Sequence, residues 1–251
     1  MASIVTHNEI SDGLKRLPLC ENPVILVHSS LKSFGYVAGG AQAVIHALLD
    51  VSGKKGTIVM PTLTYSSVNE SDPSFDVNET PSDCGSITEA FRKMPGTARS
   101  LHVVSSAAAM GKKADYITCF HEDTPCGCGS PYQKIVELDG YCLFIGTGFH
   151  SNTIFHVAEE YVNPFYFKYK TIENVRVKGY DDTTKVCTFR RYDCWQSGII
   201  RKLEKMGDVF EQEGVLSSVR VGDSEITLIK AAENFRLCYG VLEKNPGFIL
   251  E

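Results

Sequence analysis

The chain has 251 residues, 43% of them apolar, and a formal net charge of −5. That length suits one domain spanning residues 1–251 with a sizeable core, and the mild acidity argues against a nucleic-acid surface. With no apolar run of about 18 residues and no basic-then-apolar leader, the protein is expected to be cytoplasmic and to span no membrane.

The first third alternates strand and helix. Pro23 to Val27 is a short buried strand, Gly39-Gly40 breaks the chain, and Ala41 to Val51 has helical periodicity through Val44, Ile45, Leu48 and Leu49. Gly56 to Met60 makes a second strand. Between the first strand and the helix, the loop from His28 to Gly40 gathers hydroxyls, one lysine and three glycines ahead of a helix N-terminus. Those groups suit a phosphate-bearing ligand, and equally an ordinary connection between strand and helix.

Residues 62–85 are turn-rich and carry Glu70, Asp72, Asp76, Glu79 and Asp83, an acidic set that could attract a cationic substrate or simply lie in a solvated loop. Ser86 opens a helix, with Ser86 and Glu89 spaced as a capping box. In the stretch from Pro95 to Gly111, Arg99 offers a rigid fork of donors for an anion, and the small residues after Ser106 allow a thin ligand or another backbone to come close.

Nine cysteines are scattered along the chain, several inside apolar stretches, which predicts reduced thiols rather than a disulfide framework. His121, Cys126 and Cys128 form the densest group of metal-ligand types, but without a C-x2-C pair or a second pair at ligand spacing no metal site is assigned.

Tyr141 to Ile145 reads as a buried strand, ended by Gly146-Thr147-Gly148, and a short helix follows that must stop near Asn163-Pro164. Ser151, Asn152 and Thr153 are all good N-caps. With Thr153 capping, His156 lies in the first turn and Glu159 one turn later on the same face. A carboxylate beside an imidazole fixes its tautomer and stabilises the imidazolium, which is what a general base needs. The same spacing also occurs on wet surfaces and in metal sites. From Phe165 to Arg191 the period becomes two, with Gly179 to Thr183 as a hairpin turn. After Trp195 a helix is predicted over Ile199 to Phe210, then a second hairpin from Ser218 to Leu228 and a last helix from Ile229 to about Leu242. The whole is an α/β fold: a mixed central sheet flanked by helices, with antiparallel strands in the C-terminal half.

Four segments in order, V-H-S-S-L-K-S-F-G from Val27, P-G-T-A-R-S-L-H from Pro95, S-P-Y-Q-K-I from Ser130 and G-T-G-x-x-S-N-T-x-x-H-x-A-E from Gly146, resemble the aminoglycoside 3-N-acetyltransferase family. The resemblance runs from about Val24 to Glu160. It implies acetyl-CoA as co-substrate and a small-molecule amine as acceptor, with His156 as the base and Glu159 as its orienting carboxylate. It also implies that Ser29, Ser30, Lys32, Arg99 and Ser106 face the CoA, in a monomer or homodimer. Two departures stand out: His102-Val103-Val104-Ser105-Ser106 where the family commonly has H-P-T-H-S, and His150 where an aspartate is common. The acceptor implied first is the 3-amino group of an aminoglycoside antibiotic. The alternatives are a non-antibiotic amino sugar or other biosynthetic amine, and a noncatalytic binding or zinc-stabilised module.

Overall fold

A computed structural model describes residues 4–68, 71, 73–121, 123–193 and 198–251; Glu70, Asp72 and Trp195 lie outside these residues. β1 (Ile4–Val5) and α1 (His7–Leu14) lead into β2 (Val24–Ser29), the short β3 (Tyr36–Val37), α2 (Gly40–Ser52) and β4 (Thr57–Pro61). β5 (Ser74–Asp76), α3 (Ser86–Arg92), β6 (Ala98–Arg99), β7 (Ala107–Gly111), α4 (Ala114–Thr118) and α5 (Pro131–Glu137) follow. Then come β8 (Tyr141–Ile145), α6 (Thr153–Val162), β9 (Tyr169–Lys178), β10 (Thr184–Tyr192), α7 (Lys205–Gln212), β11 (Ser217–Val221), β12 (Ser224–Lys230) and α8 (Ala231–Lys244).

The main sheet runs in the order β11-β12-β8-β2-β4-β7-β6. Its centre, β8-β2-β4, is parallel, and every outer pairing is antiparallel. Parallel strands must be covered on both faces, and the side-chain alternation shows how that is met. Ile25, Val27, Ile58, Met60, Leu143 and Ile145 face α2 and join Val44, Ile45 and Leu48 in one core. Leu26, Val59, Cys142 and Phe144 face the other way, onto Ile154, Phe155 and Ala158 of α6 and Leu237 of α8. The small residues Ala107 to Ala109 are buried, in the strand β7, which threads between β4 and β6, so it is another backbone that approaches them.

A smaller sheet, β10-β9-β5, packs Phe75, Val77, Ile172, Val175, Val177 and Phe189 against Val103 and Val104. The 62–85 stretch is tied to it and to its neighbours. Arg92 Nη1 donates to Asn78 O (2.6 Å), and Asp83 accepts from Ser66 N (2.8 Å). Asp76 accepts from the amides of Asn78 and Glu79 and pairs with Lys178, so Asp76 and Asp83 are occupied in shaping the loop.

The predicted strand over Tyr141 to Ile145 and both C-terminal hairpins are present, and the helix after the first strand extends from Gly40 to Ser52. Three local expectations are corrected. Ser86 and Glu89 do not form a capping box: Gly85 is the N-cap, and Glu89 instead accepts from Arg92 (2.6 and 2.7 Å) and Ser82 N, because a charged guanidinium outcompetes a neutral hydroxyl and amide. The cap of α6 is Asn152 rather than Thr153, and it makes no side-chain cap bond. The helix expected from Ile199 starts only at Lys205, because Arg201 pairs with Leu250 in a β-bridge while its side chain turns to Glu159.

Candidate active site

β2 and β8 run parallel with His28 opposite Phe144 and Ser29 opposite Ile145, so their C-terminal ends meet at one edge of the sheet. A cavity of about 260 Å3 opens there, walled by His28 and Ser29 of β2, Pro61 of β4, and Thr147, His150, Thr153 and His156 from the segment after β8. This is the edge at which open α/β sheets bind ligands.

The helix spacing places His156 and Glu159 side by side, as the sequence predicts. His156 Nδ1 lies 2.5 Å from Glu159 Oε2; the imidazole is 19% exposed and the carboxylate 0%. An ionised carboxylate can only accept, so Nδ1 carries the hydrogen of this bond and Nε2 is the nitrogen left for another partner. Three further bonds hold Glu159. Tyr166 Oη donates to Oε1 (2.9 Å), and Arg201 Nη1 donates to both oxygens (3.2 Å each). Burial alone would raise the Glu159 carboxyl, but His156, Arg201 and Tyr166 outweigh it and hold the group below its ordinary value. The charge buried under His156 is therefore paired and stays ionised.

The other histidines are set apart by their surroundings. His28 stacks on Phe144 with ring centroids 5.1 Å apart, and its Nε2 approaches Thr153 Oγ1 at 3.4 Å. Burial, helped by His150 and His156, pushes it down to about 3, so it is a neutral wall of the cavity. His102 accepts the amides of Val104 (3.2 Å) and Ser105 (3.0 Å) at Nδ1, and burial pushes it to about 4. It organises the turn that brings Ser105 to the cavity. His121 uses both ring nitrogens on Ser100 Oγ and Pro125 O. His150 is exposed at the rim, 3.0 Å from Glu204.

Of the residues the family resemblance assigned to CoA, Ser29 lines the same cavity as His156. Ser30 follows as the N-cap of a short 3-10 turn, Leu31–Phe34, that contains Lys32; Ser30 N donates to Ile145 O (2.9 Å) and Lys32 is exposed. Arg99 and Ser106 are placed elsewhere, in a buried knot. Arg99 Nε donates to Thr62 Oγ1 and Ser106 Oγ (3.1 Å each), and its terminal nitrogens donate to Thr80 O (2.6 Å), Thr62 O (3.1 Å) and Val77 O (3.4 Å). Neither side chain lines the cavity beside His156.

Sequence reasoning passed over His28, Tyr192 and Arg201, all in the cavity wall. Arg201 left no signal: it follows Ile199 and Ile200, and Ile200 is itself exposed. Tyr192, whose ring lies 5.1 Å from that of His156 and whose hydroxyl donates to Glu160 (2.7 Å), left none beyond the strand period.

Fold and site together define a mixed-sheet α/β protein with a carboxylate-backed histidine in a cleft at the strand ends. The chain belongs to the aminoglycoside 3-N-acetyltransferase family, whose profile matches residues 26–243. It is 38% identical over 175 residues to the SPbeta prophage-derived aminoglycoside N(3')-acetyltransferase-like protein YokD of Bacillus subtilis, covering 61% of this chain and 64% of that protein. It is 31% identical over 173 residues to aminoglycoside N(3)-acetyltransferase VII of Streptomyces paromomycinus, covering 62% and 60%. The matched region thus spans about three fifths of the length of these curated relatives. Among solved structures, AAC-IIIb in a binary complex with CoASH superposes with a TM-score of 0.84 at 25% identity, covering 96% of this chain and 97% of that one. A histidine-to-alanine variant of aminoglycoside acetyltransferase AAC(3)-IVa, in complex with a gentamicin, superposes with a TM-score of 0.85 at 25% identity, covering 100% and 93%.

Proposed function

We propose that this protein transfers the acetyl group of acetyl-CoA directly to an amine, with His156 as the general base. The observation that carries this is the His156 and Glu159 pair in the cavity wall, its carboxylate buried and held by Arg201 and Tyr166. The neutral form of the amine attacks the thioester carbon and must lose one proton as the amide forms. His156 Nε2 accepts that proton, and the ionised Glu159 stabilises the imidazolium that results.

Acetyl-CoA, when bound, supplies an activated acyl carbon. The cavity suits its thioester end: Ser29 lines the wall, and its Oγ is buried without a hydrogen-bond partner. Ser30 and Lys32 continue that wall outward and would hold the polar part of CoA. Arg99 and Ser106 act at a distance, by fixing Thr62, Val77 and Thr80 beside β6 and β7. The solved relatives that carry CoASH and a gentamicin support the two-ligand reading.

Cys84 and Cys126 also line the cavity, and burial raises both thiols, so each stays protonated and a poor nucleophile. This supports transfer without an acyl-enzyme. An aminoglycoside 3-amino group is the acceptor the family membership favours. His150 at the rim, in place of an acid, favours a less cationic amino sugar or other biosynthetic amine as the second reading. A thiol-release assay with acetyl-CoA across an amine panel tests both. Turnover of aminoglycosides selects the first, and turnover of mono-amino sugars alone selects the second. No turnover with any amine, or an acetyl-cysteine adduct found by mass spectrometry, would overturn direct transfer.

A further inference from the structure

Ser29 is the last residue of β2, opposite Ile145, and shares the cavity wall with His156. Its Oγ is buried and unpartnered, while hydroxyls around it are engaged. Thr147 and Ser151 bond each other (2.8 Å), Tyr192 donates to Glu160 (2.7 Å), and Thr153 faces His28 (3.4 Å). Ser33 donates to Ser30 O (2.7 Å). The nearby loop amides of Ser30 and Gly146 are likewise spent, on Ile145 O (2.9 Å) and Glu225 O (2.8 Å). A buried hydroxyl that forgoes its hydrogen bond costs stability, and a strand end holds it rigidly in a reactive cleft. That is the arrangement expected of a donor kept for a charge that exists only in the transition state.

We propose, resting on the acetyl-transfer reading above, that Ser29 Oγ is a catalytic donor to the thioester carbonyl oxygen. As the amine nitrogen bonds to the carbonyl carbon, negative charge moves onto that oxygen and Ser29 Oγ–H meets it. His156 takes the proton the amine loses. The carbon–sulfur bond then breaks with its electron pair on sulfur, the carbonyl re-forms, and the thiolate takes the proton from His156, leaving CoA thiol and the acetylated amine. Ser29 keeps its proton throughout, so its contribution is independent of the base.

Wild type and Ser29→Ala are to be compared by acetyl-CoA calorimetry, by turnover, and by infrared spectroscopy of bound acetyl-CoA isotopically labelled at the carbonyl carbon. The expectation is a kcat lower by about 10²- to 10³-fold with an acetyl-CoA Kd within about threefold of wild type. The bound carbonyl stretch, shifted to lower frequency in the wild type, should lose that shift in Ser29→Ala. Should Ser29→Ala fail to fold by circular dichroism, Ser29→Cys, close in volume and a weak donor, carries the same expectation. Equal carbonyl frequencies, or an unchanged kcat, or a kcat loss matched by lost affinity, would overturn the role of Ser29. Wild type that binds no acetyl-CoA would instead overturn the acetyl-transfer reading itself.

Discussion

Glu159 and Arg201 are 42 residues apart in sequence, yet Arg201 Nη1 lies 3.2 Å from both oxygens of the Glu159 carboxylate, which is 0% exposed. The carboxylate that supports His156 is thus itself supported from a distant part of the chain. A buried charge is tolerable only when paired, and breaking such a pair from one side leaves the other uncompensated.

His156→Ala should lower kcat by about 10²- to 10⁴-fold while leaving acetyl-CoA affinity nearly unchanged, because in the proposed mechanism the imidazole acts on the acceptor's proton. Glu159→Gln, which keeps shape but removes charge, should lose a smaller factor. Steady-state kinetics and calorimetry check both. Arg201→Met should destabilise the fold by about 3 to 5 kcal/mol in urea unfolding, since it strands the Glu159 charge. Wild-type turnover by His156→Ala at neutral pH would move the base elsewhere.

Arg99 separates a structural from a phosphate-binding role. Arg99→Ala should cost about 2 to 4 kcal/mol by leaving Thr80 O unpaired and removing one of the two donors to Thr62 O, and Arg99→Lys should be nearly as unstable, because one ammonium cannot reproduce the fork of donors. Acetyl-CoA Kd should follow the loss of stability in both variants. A stable Arg99→Lys with wild-type affinity, beside an Arg99→Ala that is stable but binds weakly, would mark Arg99 as a phosphate ligand.

Gly146 links the two loops of the cavity. Its φ is +57°, and a Cβ there would overlap Ser33 Cβ and Oγ and crowd Ser224 Oγ. Ser33 in turn holds Ser30 O. Gly146→Ala should therefore destabilise by about 2 to 4 kcal/mol and also raise the acetyl-CoA Kd by shifting the Ser30 loop. Differential scanning calorimetry and binding at one temperature measure the two effects together.

Stability should fall on mild acidification. His28, pushed down to about 3, and His102, to about 4, stay neutral when folded, whereas in the unfolded chain they take up protons below about 6.5. The unfolded state then binds more protons, so stability rises with pH through this window and is lost as pH falls from about 6.5 toward 4, by on the order of 3 kcal/mol for each histidine. Glu159 adds to the loss at lower pH, since its depressed folded value means its contribution is present above the usual carboxylate range and disappears below it. Thermal melts from pH 7 to pH 4 should show the decline, and His28→Gln should flatten it.

The sequence by itself determined what depends on near neighbours. Apolar content bounded by Gly146 marked β8, Asn163 in the left-handed conformation (φ 50°) ended α6 as its position before Pro164 suggests, and the i, i+3 spacing placed His156 against Glu159. Each is set within one or two turns of chain, where spacing alone fixes geometry. Only the tertiary structure decided what depends on burial and distant partners. Arg99, which has the same forked donors in a loop or in a core, spends them on Thr62, Thr80 and Ser106, because β6 and β7 fold it inward. His28 joined a strand instead of opening a loop, and β2 carried it into a cavity whose other walls come from β4, α6 and Arg201. The ionisation of Glu159 rests on the same cause: burial raises a carboxyl's pKa and paired donors lower it, and those donors arrive only when the chain has closed.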